Sequence, residues 1–449
     1  MMSGFTVSHL DASLARLVHD ARTARYCVAF SGGVDSTALL HAMASLHAQC
    51  PGLAVRALHV NHHLLRQSDD WARQCMDFAA GVDVTCAILD VYVDPARGES
   101  TEAAARVARY AGLSAALSEG EYLLTAHHRD DQLETVLLQL LRGAGVAGLS
   151  GMPASTTLGS GHLLRPLLDV ARSDLVAYAT AAGLHWIEDL SNMDTRFDRN
   201  FLRQQLLPVL NKRWPGAAES VSRSAGHLAE AQQLLTERAR EDLVLARAGT
   251  NLRISAIRAL EPRRARNLLR CWIDGAGFRV PSSTVLDQVV RQMLHARADA
   301  MPLIAWGDAE LRRFRDELYL GVAPPPTPPT ELPWDWRGRS ELDLPEGLGR
   351  LRLRTALPGE CALAIPPQPL RVGFQSGSYR LRLAQGAPRR TLRNLFQEYG
   401  VVPWMRPCLP LVFIGDSLAA VADLWIDAEF QVREPGGMAI EWLDHPPIF

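Results

Sequence analysis

The chain has 449 residues, a formal net charge of −2 and a pI near 6.7, enough for roughly two to four domains with cores of their own. No stretch approaches about 18 uninterrupted apolar residues, which excludes a helical membrane span, and the first 25 residues mix His9, Asp11, Arg16, Asp20 and Arg22 into short apolar pieces, unlike a secretion signal. Seven scattered cysteines with no C-x-x-C spacing argue against a zinc site, an iron–sulfur site or a redox dithiol and fit a reduced, cytoplasmic setting.

The first predicted strand, 26–30 (Tyr-Cys-Val-Ala-Phe), runs into Ser31-Gly32-Gly33-Val34-Asp35-Ser36 and then a helix over 35–48. Glycines let backbone N–H groups turn toward an anion, and the following helix adds the positive end of its dipole. The segment reads as a phosphate cradle. It lacks the G-x-x-x-x-G-K-[ST] spelling of the kinase-type P-loop and the G-x-G-x-x-G of dinucleotide folds. The bland alternative is a glycine turn capped by Asp35 or Ser36.

Further strands are expected at 55–60, 84–90, 121–126 and near 162–167, with helices at 68–80, 100–118 and 130–142. This alternation predicts a doubly wound α/β domain with a parallel sheet, whose ligands bind at the carboxyl ends of strands. Asn61-His62 and Ala126-His127-His128 fall at two such ends. Asp131 and Glu134 share a helix face, and acidic residues in a first helical turn have an ordinary explanation in dipole complementarity. Two histidines, three carboxylates and an amide together suit Mg²⁺ beside a nucleotide, or an ammonium nucleophile. Arg106 and Arg109 share a face of the 100–118 helix, where a solvated ion pair with Glu102 is the ordinary explanation. The glycine-rich run 142–152 predicts close backbone approach to a ligand. Arg199 and Arg203 share a face beyond Glu188–Asp194.

From about 216 to 320 the pattern turns helical. Pro324-Pro325-Pro326-Thr327-Pro328-Pro329 predicts a stiff, extended linker. Residues 340–449 read as a small α+β domain with one helix at 389–399. The expected division is 1–215, 216–322, a Pro-rich 323–339 and 340–449. Arginine supplies all but one of the basic residues, Lys212 being the exception. Between 361 and 410 seven arginines face one acid, Glu398, and Arg258, Arg263, Arg264, Arg266 and Arg270 form a second cluster. Such patches suit an anionic RNA, or are simply solvated faces.

SGGVDS, HVNHHL, EAAARVARY, TAHHRDDQLET, RGAGVAGLSGM, RPLL and EDLSNMDTRFDRNFLR occur in an order that resembles the tRNA(Ile)-lysidine synthetase family of PP-loop ATP pyrophosphatases, and the terminal FQEYGVVPWMR resembles its C-terminal signature. The resemblance spans nearly the whole chain. It implies a PP-loop (adenine nucleotide α-hydrolase-like) core, an α-helical middle domain and a small α+β C-terminal domain. It implies a ligase reaction: ATP adenylates the C2 oxygen of the wobble cytidine in a tRNA(Ile) with a CAU anticodon, free lysine attacks C2, and AMP and pyrophosphate are released. Carried over, Ser31, Gly32, Gly33, Val34, Asp35 and Ser36 hold pyrophosphate, and Asn61, His62 and His127 border the nucleotide. Asp35, Asp131, Glu134 and Arg199 serve catalysis, with Asp35 and Asp131 as Mg²⁺ ligands. Arg106, Arg109, Arg203, Arg389, Arg390 and Arg393 bind tRNA, and a homodimer is compatible with the family. Position 63 is His where the family commonly has Gly, and Arg393 stands where lysine is common. Two other readings fit the first motif alone. A tRNA-thiolating relative would need cysteine pairs that this chain lacks, and a non-catalytic nucleotide sensor would have no use for the carboxylates.

Overall fold

A computed structural model describes all residues except 1–3, 64–66, 93–100, 189–193, 298–299, 327, 329–330, 346, 367, 375–377, 433–435 and 449; the side chains of 101–103 are likewise outside the description. Two compact units divide within one 30-residue helix, the first covering Met1–Leu235 and the second Thr236–Phe449.

The first unit starts with α1 (Val7–Leu17), a helix the expected elements omit although Leu10 and Leu14 recur at helical spacing; Thr6 caps it by accepting from the His9 amide. Then follow β1 (Arg25–Ala29), α2 (Val34–Gln49), β2 (Ala54–Asn61), α3 (Ser68–Gly81), β3 (Thr85–Asp90), α4 (Thr101–Ala116), β4 (Glu121–Leu124), α5 (Arg129–Leu141), α6 (Val146–Leu149), β5 (Ser155–Leu158), β6 (Gly161–Leu164) and α7 (Arg172–Ala181). The six strands run in the order β3-β2-β1-β4-β6-β5. All neighbours are parallel except the edge strand β5, which returns antiparallel on β6.

This order places the site. After β1 the chain moves outward through β2 and β3, then crosses back to β4 on the other side of β1. The connections after β1 and β4 therefore leave in opposite directions and open a crevice at the carboxyl ends of those strands. Both motifs with the densest polar chemistry, 31–36 and 126–135, leave from there. The floor is closely packed: α2 buries Ala38, Leu39, Leu40, Ala42 and Met43 completely, the pattern of a helix covered on more than one face.

Beyond α7, α8 (Asp198–Phe201) widens into a π-helical turn over Leu202–Leu206 and continues as α9 (Leu207–Arg213). A π turn is rare and concentrates at functional positions.

In the second unit, the helical reading of the middle holds for the long helix and for Pro262–Gly275, which buries Ala265, Leu268, Leu269, Trp272 and Ile273 along one stripe. A five-stranded antiparallel sheet accompanies these helices, with hairpin strands Leu303–Trp306, Ala309–Phe314 and Glu317–Gly321. Burial alternates strictly over 309–314, and Gly307 and Arg315 make the left-handed turns; of these the sequence shows Gly307, the alternation being broken by the buried Arg313. The C-terminal part forms two further five-stranded sheets around the helix Leu392–Glu398, with Leu395, Phe396, Val401, Val412 and Trp442 in the core. The proline run does not stand clear. Pro324, Pro325, Pro326 and Pro328 line a cavity of about 580 Å³ with Arg312, Tyr319 and Trp404.

Candidate active site

The loop after β1 is shaped by Gly32. Its φ is +82°, and a Cβ there would lie 2.5 Å from Ile187 Cδ1 and 2.9 Å from Cys75 Sγ, so only glycine fits. The Gly32 carbonyl accepts from the Ile187 amide at 2.9 Å and the Thr37 hydroxyl at 3.2 Å. Ser31 and Ser36 hydroxyls meet at 3.0 Å, and Ser36 also donates to the Gly33 carbonyl. Gly33 is the N-cap of α2, and no side chain caps that helix. Helix N-termini left this way bind anions. The helix starts at Val34, one residue before the expected position, so Asp35 lies in its first turn rather than capping it.

Asp35 points toward the second motif. Its Oδ2 is 3.6 Å from His128 Nε2, and its Oδ1, 3.7 Å from Arg172 Nε, is buried without a hydrogen-bond partner. His128 caps α5 reciprocally: the Asp131 amide donates to Nδ1 at 3.3 Å while the His128 amide donates to Asp131 Oδ2 at 3.0 Å. Nδ1 is thus an acceptor, and the proton sits on Nε2, which faces Asp35 and, at 3.4 Å, Asp131. Burial opposes a charge on His128, but Asp35, Asp131 and Asp130 outweigh it and raise its pKa. Burial likewise opposes the Asp131 carboxylate, and His128, Arg203 and Arg199 more than compensate, holding its pKa below the usual range.

Arg199 and Arg203 converge on this helix. Arg199 Nε donates to Glu134 Oε2 at 2.8 Å, Arg203 Nε donates to Glu134 Oε1, and Arg203 Nη2 donates to Asp131 Oδ1 at 2.6 Å. Glu134 is only 1% exposed, and both its oxygens are taken. His127 hydrogen-bonds Thr125 through Nδ1 at 2.8 Å; burial, then Arg165, Arg199 and Arg106, lower its pKa against the pull of Asp131.

A second group gathers beside the end of β2. Asn61 is buried, donating to Asp69 at 2.8 Å and accepting from the His63 amide. Arg109 Nε donates to His62 Nε2 at 3.2 Å, which leaves the proton on Nδ1, a buried atom without a hydrogen-bond partner. Burial and Arg109 lower the His62 pKa to about 4. His63 has a φ of +52°, a conformation that suits glycine, and its ring contacts Asp90 at 2.8 Å and stacks on Tyr92. Arg106 is exposed and lies over the Tyr110 ring at 5.1 Å.

The glycine-rich run has a structural explanation in part. Gly143 (φ +71°) ends α5, and Gly151 (φ +69°) would bring a Cβ to 2.7 Å from Gln132 Oε1. Gln132 pins this loop by two hydrogen bonds to Met152. Of the run 188–194, residues 189–193 lie outside the description. Arg165 and Arg172, absent from the residues singled out in the sequence, both stand at the crevice; the RPLL match was the available signal for Arg165. Among the described residues, no three His, Cys, Asp or Glu side chains assemble a metal site from protein ligands alone.

In the second unit the arginines are mostly engaged. Arg389 pairs with Glu429 at 2.7 Å, Arg390 with Glu398 and Arg371 with Glu331, while Arg406 folds back on the Val401 carbonyl. Arg380 and Arg393 are exposed and have no acidic partner among the described residues.

The chain matches three domain families: the PP-loop domain over residues 6–210, the TilS substrate binding domain over 252–319 and the TilS substrate C-terminal domain over 370–442. It is 46% identical to a tRNA(Ile)-lysidine synthase of Alkalilimnicola ehrlichii, with 92% of each chain covered. It is 41% identical to that of Methylococcus capsulatus, over 93% of this chain and 96% of the relative. A U34-tRNA thiolase from Methanococcus maripaludis has a similar solved structure, at 17% identity and a TM-score of 0.43, covering 50% of this chain and 77% of that one.

Proposed function

The chain belongs to the tRNA(Ile)-lysidine synthase family, and from that premise we propose how its residues divide the reaction. The protein is an ATP-dependent ligase that forms a C–N bond on tRNA(Ile). Two steps follow from the chemistry: adenylation of the wobble cytidine at its C2 oxygen with loss of pyrophosphate, then attack by the ε-amine of free lysine with loss of AMP.

The observation that carries this division is the contact of Asp35 and Asp131 with one histidine, His128, which joins the anion-binding helix end to the carboxylate–arginine cluster. The amides of residues 33–36 and the Ser31 and Ser36 hydroxyls take the pyrophosphate. His62 Nδ1–H, lacking a protein acceptor, suits a ring nitrogen of the adenine. Asp35 Oδ1, buried with no hydrogen bond and only the longer Arg172 contact, fits an Mg²⁺ ligand, since Mg²⁺ in nucleotide sites takes one or two carboxylates together with phosphate oxygens. When bound, Mg²⁺ would neutralise the phosphate charge. Asp131 fits it less well, because Arg203 and the His128 amide occupy its oxygens.

Asp131, kept ionised with both oxygens engaged by protein donors, adds negative charge at the crevice that offsets Arg199 and Arg203 where the lysine ammonium arrives. Glu134 acts through others: it holds Arg199 and Arg203 in place, and these bind the phosphate of the adenylated intermediate. Arg106 and Arg109 border the tRNA path. In the second unit Arg393, with Arg380, provides free cationic groups for tRNA phosphates. Arg389 and Arg390 must exchange their acids for RNA to contribute. The setting is the cytoplasm, where tRNA, ATP and lysine coexist.

Pyrophosphate release measured with each substrate omitted in turn tests the assignment. Release should require ATP and the CAU tRNA, and AMP release should require lysine as well. AMP and pyrophosphate formed from ATP alone would refute it.

A further inference from the structure

Arg165 follows β6 directly and is 7% exposed. Its Nη1 donates to the Pro153 carbonyl at 2.7 Å, the Tyr110 hydroxyl is a second neutral partner, and its Nε is buried with no hydrogen-bond partner. Among the described residues no carboxylate lies within ion-pair distance. A guanidinium does not discharge by losing its proton, so a buried one without a counter-charge is costly. Nearby charge worsens the situation, because Arg106 is the charged group that acts on it unfavourably after burial itself. Among the described residues none supplies that charge, and a bound anion would relieve both.

The location narrows the anion. β4 and β6 are adjacent, and the Thr125 amide donates to the Leu164 carbonyl at 3.1 Å, so Thr125 and Arg165 stand at neighbouring strand ends in the crevice. His127, anchored on Thr125, is sensitive to Asp131 and to Arg165 alike. The same imidazole thus feels a carboxylate on α5 and the guanidinium of Arg165. The pyrophosphate site lies at the end of β1, two strand positions from β6. A polynucleotide backbone needs an open track, and an enclosed guanidinium instead suits a small planar anion that it can grip with two parallel N–H bonds.

We propose that Arg165 binds the α-carboxylate of the amino-acid co-substrate and so selects an amino acid over a simple diamine. This rests on the reading of free lysine as nucleophile. It assigns to Arg165 substrate selection, with the chemistry left to the groups on α5 and the π turn.

The test compares the KM for L-lysine with inhibition constants for 1,5-diaminopentane and lysinamide, in wild type and in Arg165→Met. Wild type should favour lysine over both analogues by on the order of 10- to 100-fold, the range of a charge-assisted hydrogen-bond pair. In Arg165→Met the lysine KM should rise toward the analogue values, while the analogue constants and the KM for ATP stay put. An unchanged preference in the folded variant would overturn the proposal. So would a change confined to tRNA affinity and its salt dependence, which would assign Arg165 to a phosphodiester. If Arg165→Met does not fold, Arg165→Lys carries the same test, since a single ammonium cannot grip two oxygens: a reduced preference supports the proposal and a wild-type preference overturns it. A wild-type enzyme that transfers no lysine would instead refute the reading of the reaction itself.

Discussion

Arg199 Nε meets Glu134 Oε2 at 2.8 Å across 65 positions of the chain. Arg203, one turn on, takes the other oxygen of the same carboxylate, and the wider π-helical turn that begins at Leu202 carries it. Glu134 is thereby committed to the protein. A carboxylate with both oxygens engaged by guanidiniums has no oxygen left for a substrate and serves as an anchor.

Glu134→Gln should therefore act on the arginines. A neutral amide leaves two partly buried guanidiniums facing Asp131 alone, at a cost of about 3 kcal/mol when a buried pair loses one member. Thermal unfolding should show a loss of that order. Pyrophosphate release and lysine transfer should both fall, because Arg199 and Arg203 lose their aim together. A defect confined to lysine transfer, at unchanged stability, would return Glu134 to a direct role with the amine.

Asp35→Asn keeps the shape and removes the charge at Oδ1. ATP-dependent pyrophosphate release should drop by on the order of 100-fold, as for loss of a charge-stabilising group at a reacting phosphate. Its dependence on Mg²⁺ concentration should shift upward, and the protein should stay folded with a modest loss of stability from the weakened contacts to His128 and Arg172. An unaltered Mg²⁺ dependence would remove Asp35 from metal binding.

His62 links stability to acid. Its folded pKa is lowered to about 4, while the unfolded chain titrates near 6.5. Between those values the unfolded state takes up a proton that the folded state refuses, so stability present above about pH 6.5 is lost as the pH falls toward 4. His127, also depressed, acts in the same direction. Denaturant midpoints of His62→Gln should fall less steeply than wild type across this window. Parallel curves would mean that His62 is not held neutral.

The parallel core was legible because each strand is a short apolar run and each helix follows at regular spacing. The phosphate loop was legible because its glycine requirement is local: Gly32 needs both its φ and its missing Cβ. The hidden parts depend on long-range partners. Glu134 on α5 reads as first-turn acidity until Arg199 and Arg203 arrive from 65 and 69 residues away. The strands of 303–321 were masked by a helical context, although Gly307 marks their first turn. The arginine excess at 361–410 looked like free charge, but Glu331 and Glu429, outside that window, neutralise Arg371 and Arg389.

That neutralisation alters the expected RNA contacts. Surface pairs contribute little to stability and can exchange, yet each must be broken before it releases counterions from RNA. Arg393→Ala and Arg380→Ala should each reduce the slope of log affinity for tRNA against log salt by about 0.7 to 0.9. Arg389→Ala should reduce it less. Point substitutions test this better than a cut in the proline run, which would open the cavity lined by Pro324, Tyr319 and Trp404. Equal slopes in all variants would make the patch a solvated face.

The most direct measurement is the mass of the wobble nucleoside. Purified protein, a CAU-anticodon tRNA(Ile) transcript, ATP and isotopically labelled lysine are allowed a single turnover, and the tRNA is digested to nucleosides. The label is expected on the wobble cytidine as lysidine, with one AMP and one pyrophosphate per modification, and a folded Asp35→Asn protein should form all three about 100-fold more slowly. An unlabelled wobble cytidine, or AMP and pyrophosphate formed without lysine on the tRNA, would contradict the assigned reaction.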